Sequence, residues 1–471
     1  VISVAVLALA AAASAAEPTP RHPRELPAPP PLDFRLPDLA RSSLSRGIPM
    51  YGLEDHDLPL VTVAIRFPLG TRYVDAGDLD ALELMAQAWQ TGGTRDLDPD
   101  AYDARLAALD AQIHVGIGER SCQVTASCVR DDLDEVLALW RDVVVHPRFD
   151  EGRLARGRAK RIRDLQAIND DPGRVASVWL SWLARGRDHP GARLPTRAAL
   201  DSVGVEALRR IHRRFVDPKG AVIGASGDFD PRDMKRTLDR LFADWRGAPD
   251  YAPPRLNDWP VAAAPGLYLL PGSWEQSHVE IGRHVPGLGR RSPDHAAAQI
   301  LDFAVGYGRI FYRSRSEGLS YGASMFLDAD DDDALLEAFG SCRPEATADM
   351  AAMLVDELRK ARQNPPDESE IATSRTFRVG GVISTSEVPR RAIGTRIGDI
   401  AEGRGEDFLK KYLAGLQACG PEDVRRVAER CLAEPSGMVV LVLGDPEKFG
   451  RPLAELGLGE PVRLEPAVFG E

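Results

Sequence analysis

Residues 221–231 read AVIGASGDFDP and residues 438–446 read MVVLVLGDP: an apolar run that ends on Gly-Asp, at Gly227-Asp228 and again 217 residues later at Gly444-Asp445. Short apolar runs closed by such turn residues predict buried strands. The same spacing recurs around them. Asp150-Glu151, which opens a helix after a short loop, returns as Asp367-Glu368. The amphipathic stretch from Leu133 to Val144 has a counterpart around Met350, Met353 and Leu354. VTVAIRFPLG at 61–70 has one in VEIGRHVPGL at 279–288, at offset 218. Each match alone is weak. Four near one spacing, in one order, predict two copies of an α/β unit of about 200 residues. Strands cluster between paired helices, which predicts an α+β fold with two homologous α/β domains on antiparallel-rich sheets, not one doubly wound sheet.

Working outward, residues 47–75 predict a hairpin and 79–90 a helix stopped by Gly92-Gly93. Two short strands are expected over 112–129, helices over 131–145 and 150–168, and a strand over 220–229. Glu17–Asp33 holds seven prolines, which predicts an extended linker. Val1–Ala16, VISVAVLALAAAASAA, has the apolar body and small-residue end of a secretory signal. The expected order is a signal peptide at 1–16, a Pro-rich linker at 17–40, a first domain at 41–247, an interdomain linker at 248–265, a second domain at 266–452 and a tail at 453–471.

Composition narrows the function. With 44% hydrophobic and 28% charged residues the chain has ordinary globular content. A net charge of −12 leaves no basic footprint for nucleic acid. No later apolar run reaches the length of a membrane span, so an exported, periplasmic protein is expected. Cys122 and Cys128 lie six residues apart in a strand-like run, about 20 Å, too far to bridge each other.

Candidate chemistry is sparse. No two of the nine histidines are three to five residues apart, so no helical pair can face one zinc ion. No G-x-S-x-G elbow or phosphate loop is present; Gly306-Tyr307-Gly308 reads as a short Gly-rich turn. The run Asp328–Asp333 reads as a solvated hairpin turn. One constellation is left, RIFYRSRSEGLSYG at 309–322. Its arginines can donate to a peptide carbonyl or carboxylate, and Tyr321 can donate to a developing oxyanion. A helix end capped at Gly318 with a packed tyrosine is the plainer alternative.

From about residue 45 to 450 the chain resembles the pitrilysin/insulinase peptidase family. The resemblance is carried by LEDHDLPLVTVAIRF at 53–67, Gly92-Gly93-Thr94, NDDP at 169–172, RFVDPKGAVIGASGDFDP at 214–231, SPDHAAAQILDFAVGYGRIF at 292–311, EGLSYG at 317–322 and GPEDVRRVAERCL at 420–432. It implies two homologous domains in a clamshell around a peptide. It also implies a zinc motif, H-x-x-E-H, just before Gly93-Thr94. Here that place holds Leu84, Met85, Ala86, Gln87 and Ala88. The family's third ligand is a Glu near 155–170, and no Glu occurs from 152 to 205. Leu84, Gln87 and Ala88 cannot hold zinc or activate its water. The resemblance therefore implies no cofactor in this chain and no hydrolysis by it alone. In the second domain the family uses an Arg and a Tyr to hold substrate. Tyr321 matches the Tyr. The usual Arg spacing falls on Ser314, and Arg315 and Arg313 flank it, with the register of Arg309-Ile310-Phe311 favouring Arg315. Bacterial two-chain members divide these parts, so the resemblance implies a related partner subunit carrying the zinc, with peptides as substrates. A catalytically inert peptide-binding or scaffold protein on the same fold is the alternative.

Overall fold

The computed structural model describes residues 34–471, so the signal-like start and the Pro-rich run Glu17–Asp33 lie outside the described residues. Leu36–Glu471 form one compact unit.

The first half builds β1 (Ala40–Ser43), β2 (Pro49–Glu54), β3 (Leu60–Phe67), α1 (Leu79–Thr91), α2 (Pro99–Ala108), β4 (Gln112–Ile117), β5 (Cys122–Val129), α3 (Leu133–Val145), α4 (Glu151–Gln166), α5 (Pro172–Arg185), α6 (Arg197–Ser202), α7 (Val205–Phe215), β6 (Val222–Gly227) and α8 (Pro231–Leu241). The second half builds β7 (Gly266–Pro271), β8 (Ser277–Val285), α9 (His295–Phe303), a π-helical continuation (Ala304–Phe311), α10 (Tyr312–Ser316), β9 (Ala323–Ala329), β10 (Ala334–Cys342), α11 (Thr347–Gln363), α12 (Glu368–Ser386), α13 (Pro389–Ala401), α14 (Phe408–Ala418), α15 (Pro421–Cys431), β11 (Val439–Gly444) and β12 (Val462–Arg463).

Two six-stranded mixed sheets result, in the orders β1-β2-β6-β3-β5-β4 and β12-β7-β11-β8-β10-β9. In each, the last long strand lies parallel to one early strand and antiparallel to the next. The fold is α+β with two homologous halves. The repeat reaches the helix starts: Asp150 and Asp367 both cap with their side chains, and Pro172 and Pro389 both occupy a first helical position.

The hairpin expected over 47–75 does not form. β6 enters between β2 and β3, parallel to the first and antiparallel to the second. Gly227 makes this possible. Its φ is +115°, and a Cβ there would lie 1.9 Å from the Leu60 carbonyl oxygen. Gly306-Tyr307-Gly308 is not a turn either. It lies inside the π-helical stretch, where a Cβ on Gly306 would meet the Met325 carbonyl at 2.3 Å, so glycine lets this helix press against β9.

The two halves exchange a helix. α5, from the first half, packs on β8 and β11 of the second sheet; α13, from the second half, packs on β6, β2 and β3 of the first. Leu180 of α5 sits where a Cβ on Gly282 would meet it at 2.6 Å, and Ile397 of α13 does the same to Gly224 at 2.8 Å. This exchange buries β6 and β11 on both faces, which is why both read as continuous apolar or small runs and not as alternating ones.

His212 shows how the core handles a titratable ring. Its Nε2 lies 2.9 Å from the Val144 carbonyl oxygen, and its ring packs edge-on to Trp89 and Phe149. Burial pushes its pKa, and those of His189 and His295, down to about 4 from 6.5. The folded chain keeps these rings neutral while the unfolded chain protonates them. Their contribution to stability is complete above pH 6.5 and is lost as the pH falls toward 4. Asp302 opposes them, since burial raises its carboxyl to about 6, and burial raises Glu280, Glu119, Glu337 and Asp399 as well. The share of His212 is therefore read by difference: acidification from pH 7 to pH 4.5 will lower the Tm less in His212→Phe than in the parent, and an equal change in the two would contradict this.

Candidate functional site

The position of the family's zinc motif lies on α1, packed against α4. Leu84 and Ala88 are each 1% exposed and belong to the first core, while Gln87 is exposed. Gln87 lies over Gly157 of α4, where a Cβ would approach its amide at 3.5 Å. Arg161 of α4 donates to Glu83 at 2.8 and 2.9 Å. Aliphatic packing and one ion pair thus fill the place where ligands would converge, and these residues do not fit a zinc ion. Among the described residues no group of three or more His, Cys, Asp or Glu could hold a metal.

The Arg/Tyr segment hangs from the long helix α9–α10. That helix ends at Ser316 and reverses through Gly318, whose φ is +67°. Ser314 is fully buried and donates to the Phe311 carbonyl, so the position of the usual Arg points inward. Arg313 is spoken for: it donates to Glu317 at 2.7 Å, Asp356 at 2.5 Å and Glu357 at 2.6 Å. Arg315 is exposed, and its guanidinium sits 5.1 Å from the Phe311 ring centre and 5.5 Å from that of Tyr321. Tyr321 is 86% exposed. The structure therefore brings Arg315 and Tyr321 together, and holds Arg313 in a carboxylate cage.

Sequence reading missed what adjoins this pair. Phe377 stacks on Phe303 (4.1 Å between centres), Phe303 on Tyr307 (5.2 Å) and Tyr307 on Phe311 (4.9 Å), and Arg315 continues the row. The signal was present as an i, i+4 spacing from 303 to 315. Phe377, from α12, could not have been assigned without the fold. Tyr307, Tyr312 and Phe377 are about half exposed. The segment thus offers a rigid guanidinium, a free phenol and a planar apolar track beside them, a combination suited to a peptide backbone with bulky side chains.

The acidic run forms the β9–β10 hairpin turn, but it is not solvated throughout. Asp331 is 2% exposed and faces Arg120 and Arg291, each at 3.4 Å, and Arg404. Arg404 also donates to Asp399 at 2.9 Å and Glu402 at 2.6 Å. Arg120 comes from the first half and the other partners from the second, so the run is a buried electrostatic joint between the halves.

Residues 202–376 match the family described as peptidase M16 inactive domain. An "uncharacterized zinc protease" of Streptomyces coelicolor is 27% identical over 74% of this chain and 78% of its own length. A Pseudomonas fluorescens structure described as a peptidase M16 inactive domain superposes with a TM-score of 0.76 at 18% identity, covering 87% of this chain and 98% of that one. The periplasmic protease PqqL of Escherichia coli does so with a TM-score of 0.73 at 13% identity, over 91% of this chain and 48% of its own. At such identities the structural matches establish the fold, and the sequence matches carry the relationship. The chain is similar to the pitrilysin/insulinase (M16) peptidases, and its residues 202–376 match the model of their inactive domain.

Proposed function

We propose that this chain is the non-catalytic subunit of a two-chain zinc metallopeptidase, lending Arg315 and Tyr321 to a related partner that carries H-x-x-E-H and the zinc. One contrast supports this most. At the metal position Leu84 and Ala88 belong to the core and Gln87 lies over Gly157, while Arg315 and Tyr321 stand exposed side by side. Arg315 would hold a peptide carbonyl or carboxylate through fixed N–H donors. Tyr321 would donate to the carbonyl oxygen as charge develops on it in the partner's site. Two domains at 41–247 and 266–452, joined through 248–265, belong to this reading, as does export to the periplasm. The signal-like residues 1–16 and the likeness to a periplasmic protease favour export. No described helix is long and apolar enough to cross a membrane.

The second reading, an inert peptide-binding or scaffold protein, draws on Ser314 standing where the family's Arg belongs. Native mass spectrometry of the protein affinity-purified from its source separates the two. A stoichiometric complex with a second chain of similar size and one zinc is the expected result. A lone, metal-free chain would move the assignment to the scaffold reading. Zinc on the lone chain would refute the assignment of positions 84–88.

A further inference from the structure

A cavity of about 380 Å³ opens between the start of α9 and α14, and no residue of the Arg315–Tyr321 segment lines it. Gly415 of α14 lies against Ala296 of α9, where a Cβ would come within 3.1 Å, so small residues let the two helices close at one end. Phe408 and Tyr412 are four residues apart on α14 and share a side of it. His295, at the start of α9, meets both rings. Its centre is 6.5 Å from that of Phe408, at 30° between planes, and 5.1 Å from that of Tyr412, at 36°. Three flat, half-buried rings thus form one wall of the cavity.

Every charged side chain on the lining is basic: Arg290, Arg291, Arg404 and Lys411, with no Asp or Glu beside them. This runs against the chain's own balance of −12. Two of the four are committed elsewhere. Arg404 is held by Asp331, Asp399 and Glu402. Arg291 leans on Asp331 and on the Gly403 carbonyl, each at 3.4 Å. The other two are free. Arg290 and Lys411 are exposed and form no ion pair among the described residues. The Arg290 side chain engages only its Nε, with the Ala329 carbonyl at 3.3 Å, which leaves its two terminal nitrogens open to solvent and to a ligand. The wall feels this positive field. Burial first, then Arg290, Arg378 and Arg404, push the His295 pKa down to about 4, so the ring is neutral at pH 7 and free to stack.

These two features decide the ligand. An inorganic anion would meet the cations and leave the rings unused. A neutral arene would cover the rings and leave two unpaired cations beside it. A molecule with a flat ring and an anionic group uses both. We propose that this pocket binds a small aromatic anion, a planar ring system carrying a carboxylate or a phosphate. The ring lies on the wall of His295, Phe408 and Tyr412. The anionic group accepts charge-assisted hydrogen bonds from the terminal nitrogens of Arg290 and from Lys411 Nζ. The volume suits one or two fused rings with a head group. An acidic protein repels anions over most of its surface, so retention here has to come from these local cations. The site lies within one chain and does not depend on the peptidase-subunit reading.

Isothermal titration of the full chain with indoleacetate, AMP, tryptophol (the neutral alcohol on the same indole ring) and inorganic phosphate tests it. An aromatic anion will bind, indoleacetate the better if the natural ligand is a carboxylate and AMP the better if it is a phosphate. Tryptophol and inorganic phosphate will each bind at least about tenfold more weakly than the better aromatic anion, since one lacks the charged hydrogen bond and the other the ring. Lys411→Gln will weaken binding about tenfold, and Lys411→Glu will abolish it. Neither will lower the Tm, because the side chain is exposed and unpaired and all three residues suit a helix. Arg391→Gln removes an exposed positive charge outside the lining and will leave binding unchanged. Tryptophol or inorganic phosphate binding as tightly as the aromatic anions, undiminished binding by Lys411→Glu, an equal loss in Arg391→Gln, or no heat from any probe at millimolar concentration would each overturn the assignment.

Discussion

In the proposed complex with a zinc-bearing partner, Tyr321→Phe will lower kcat/KM for peptide cleavage about a hundredfold, the scale of losing one donor to a developing oxyanion. The change removes one hydroxyl from a side chain that is 86% exposed, so the Tm should not move. That separation makes the variant informative: a fold defect cannot imitate it. Arg315→Ala should act mainly on KM, because a guanidinium holding a carbonyl binds ground and transition states alike. Arg315→Lys will recover only part of the loss, since an ammonium lacks the planar fork. Arg313→Ala should behave in the opposite way. It leaves Asp356 and Glu357 with Lys360 as their one remaining cation, 3.9 Å from the nearly buried Glu357, and it will cost stability more than turnover. Equal activity of Tyr321→Phe and the parent complex would remove Tyr321 from any catalytic role.

The largest effect on stability is expected at Asp331. Its carboxylate is held among Arg120, Arg291 and Arg404 in a joint where Arg404 and Arg120 are themselves almost wholly buried. Removing it takes away the one carboxylate that the three share: Arg120 keeps Asp332 and Arg404 keeps Asp399 and Glu402, but Arg291 keeps none, and the shared centre is poorly hydrated. Breaking a buried pair from one side costs up to about 3–5 kcal/mol, far more than a surface pair returns. Asp331→Ala should therefore lower the Tm by many degrees, with little relief from added salt, because buried charges are weakly screened. As controls, Asp349→Ala and Asp100→Ala remove exposed partners of Arg451 and Arg153 and should shift it by little. An Asp331→Ala protein as stable as the parent would mean that the joint is solvated and its charges need no partner.

Local rules read well wherever the cause is local. The helix caps at Asp150 and Asp367 and the strand runs that end on Gly227 and Gly444 depend on neighbouring residues alone. Errors appeared where a distant segment intervenes. β2 and β3 look like a hairpin because they are adjacent in the chain, yet β6, arriving from residue 222, separates them. The run Asp328–Asp333 looks like a water-facing turn because six residues cannot reveal that Arg120 and Arg404 will close over it. Arg313 and Arg315 flank Ser314 in sequence, where register alone favours the second. They differ because α11 brings Asp356 and Glu357 to one and nothing comparable to the other.

The sequence by itself determined the duplicated α+β architecture, because repeat spacing and hydrophobic period are written along the chain. Tertiary structure alone decided which arginine is free, that the halves exchange α5 and α13, and that a buried charged joint lies between them. The physical reason is that these depend on pairings across 43 residues, as from Arg313 to Asp356, or more. There, a glycine such as Gly224 or Gly282 has meaning only once the helix that presses on it is in place.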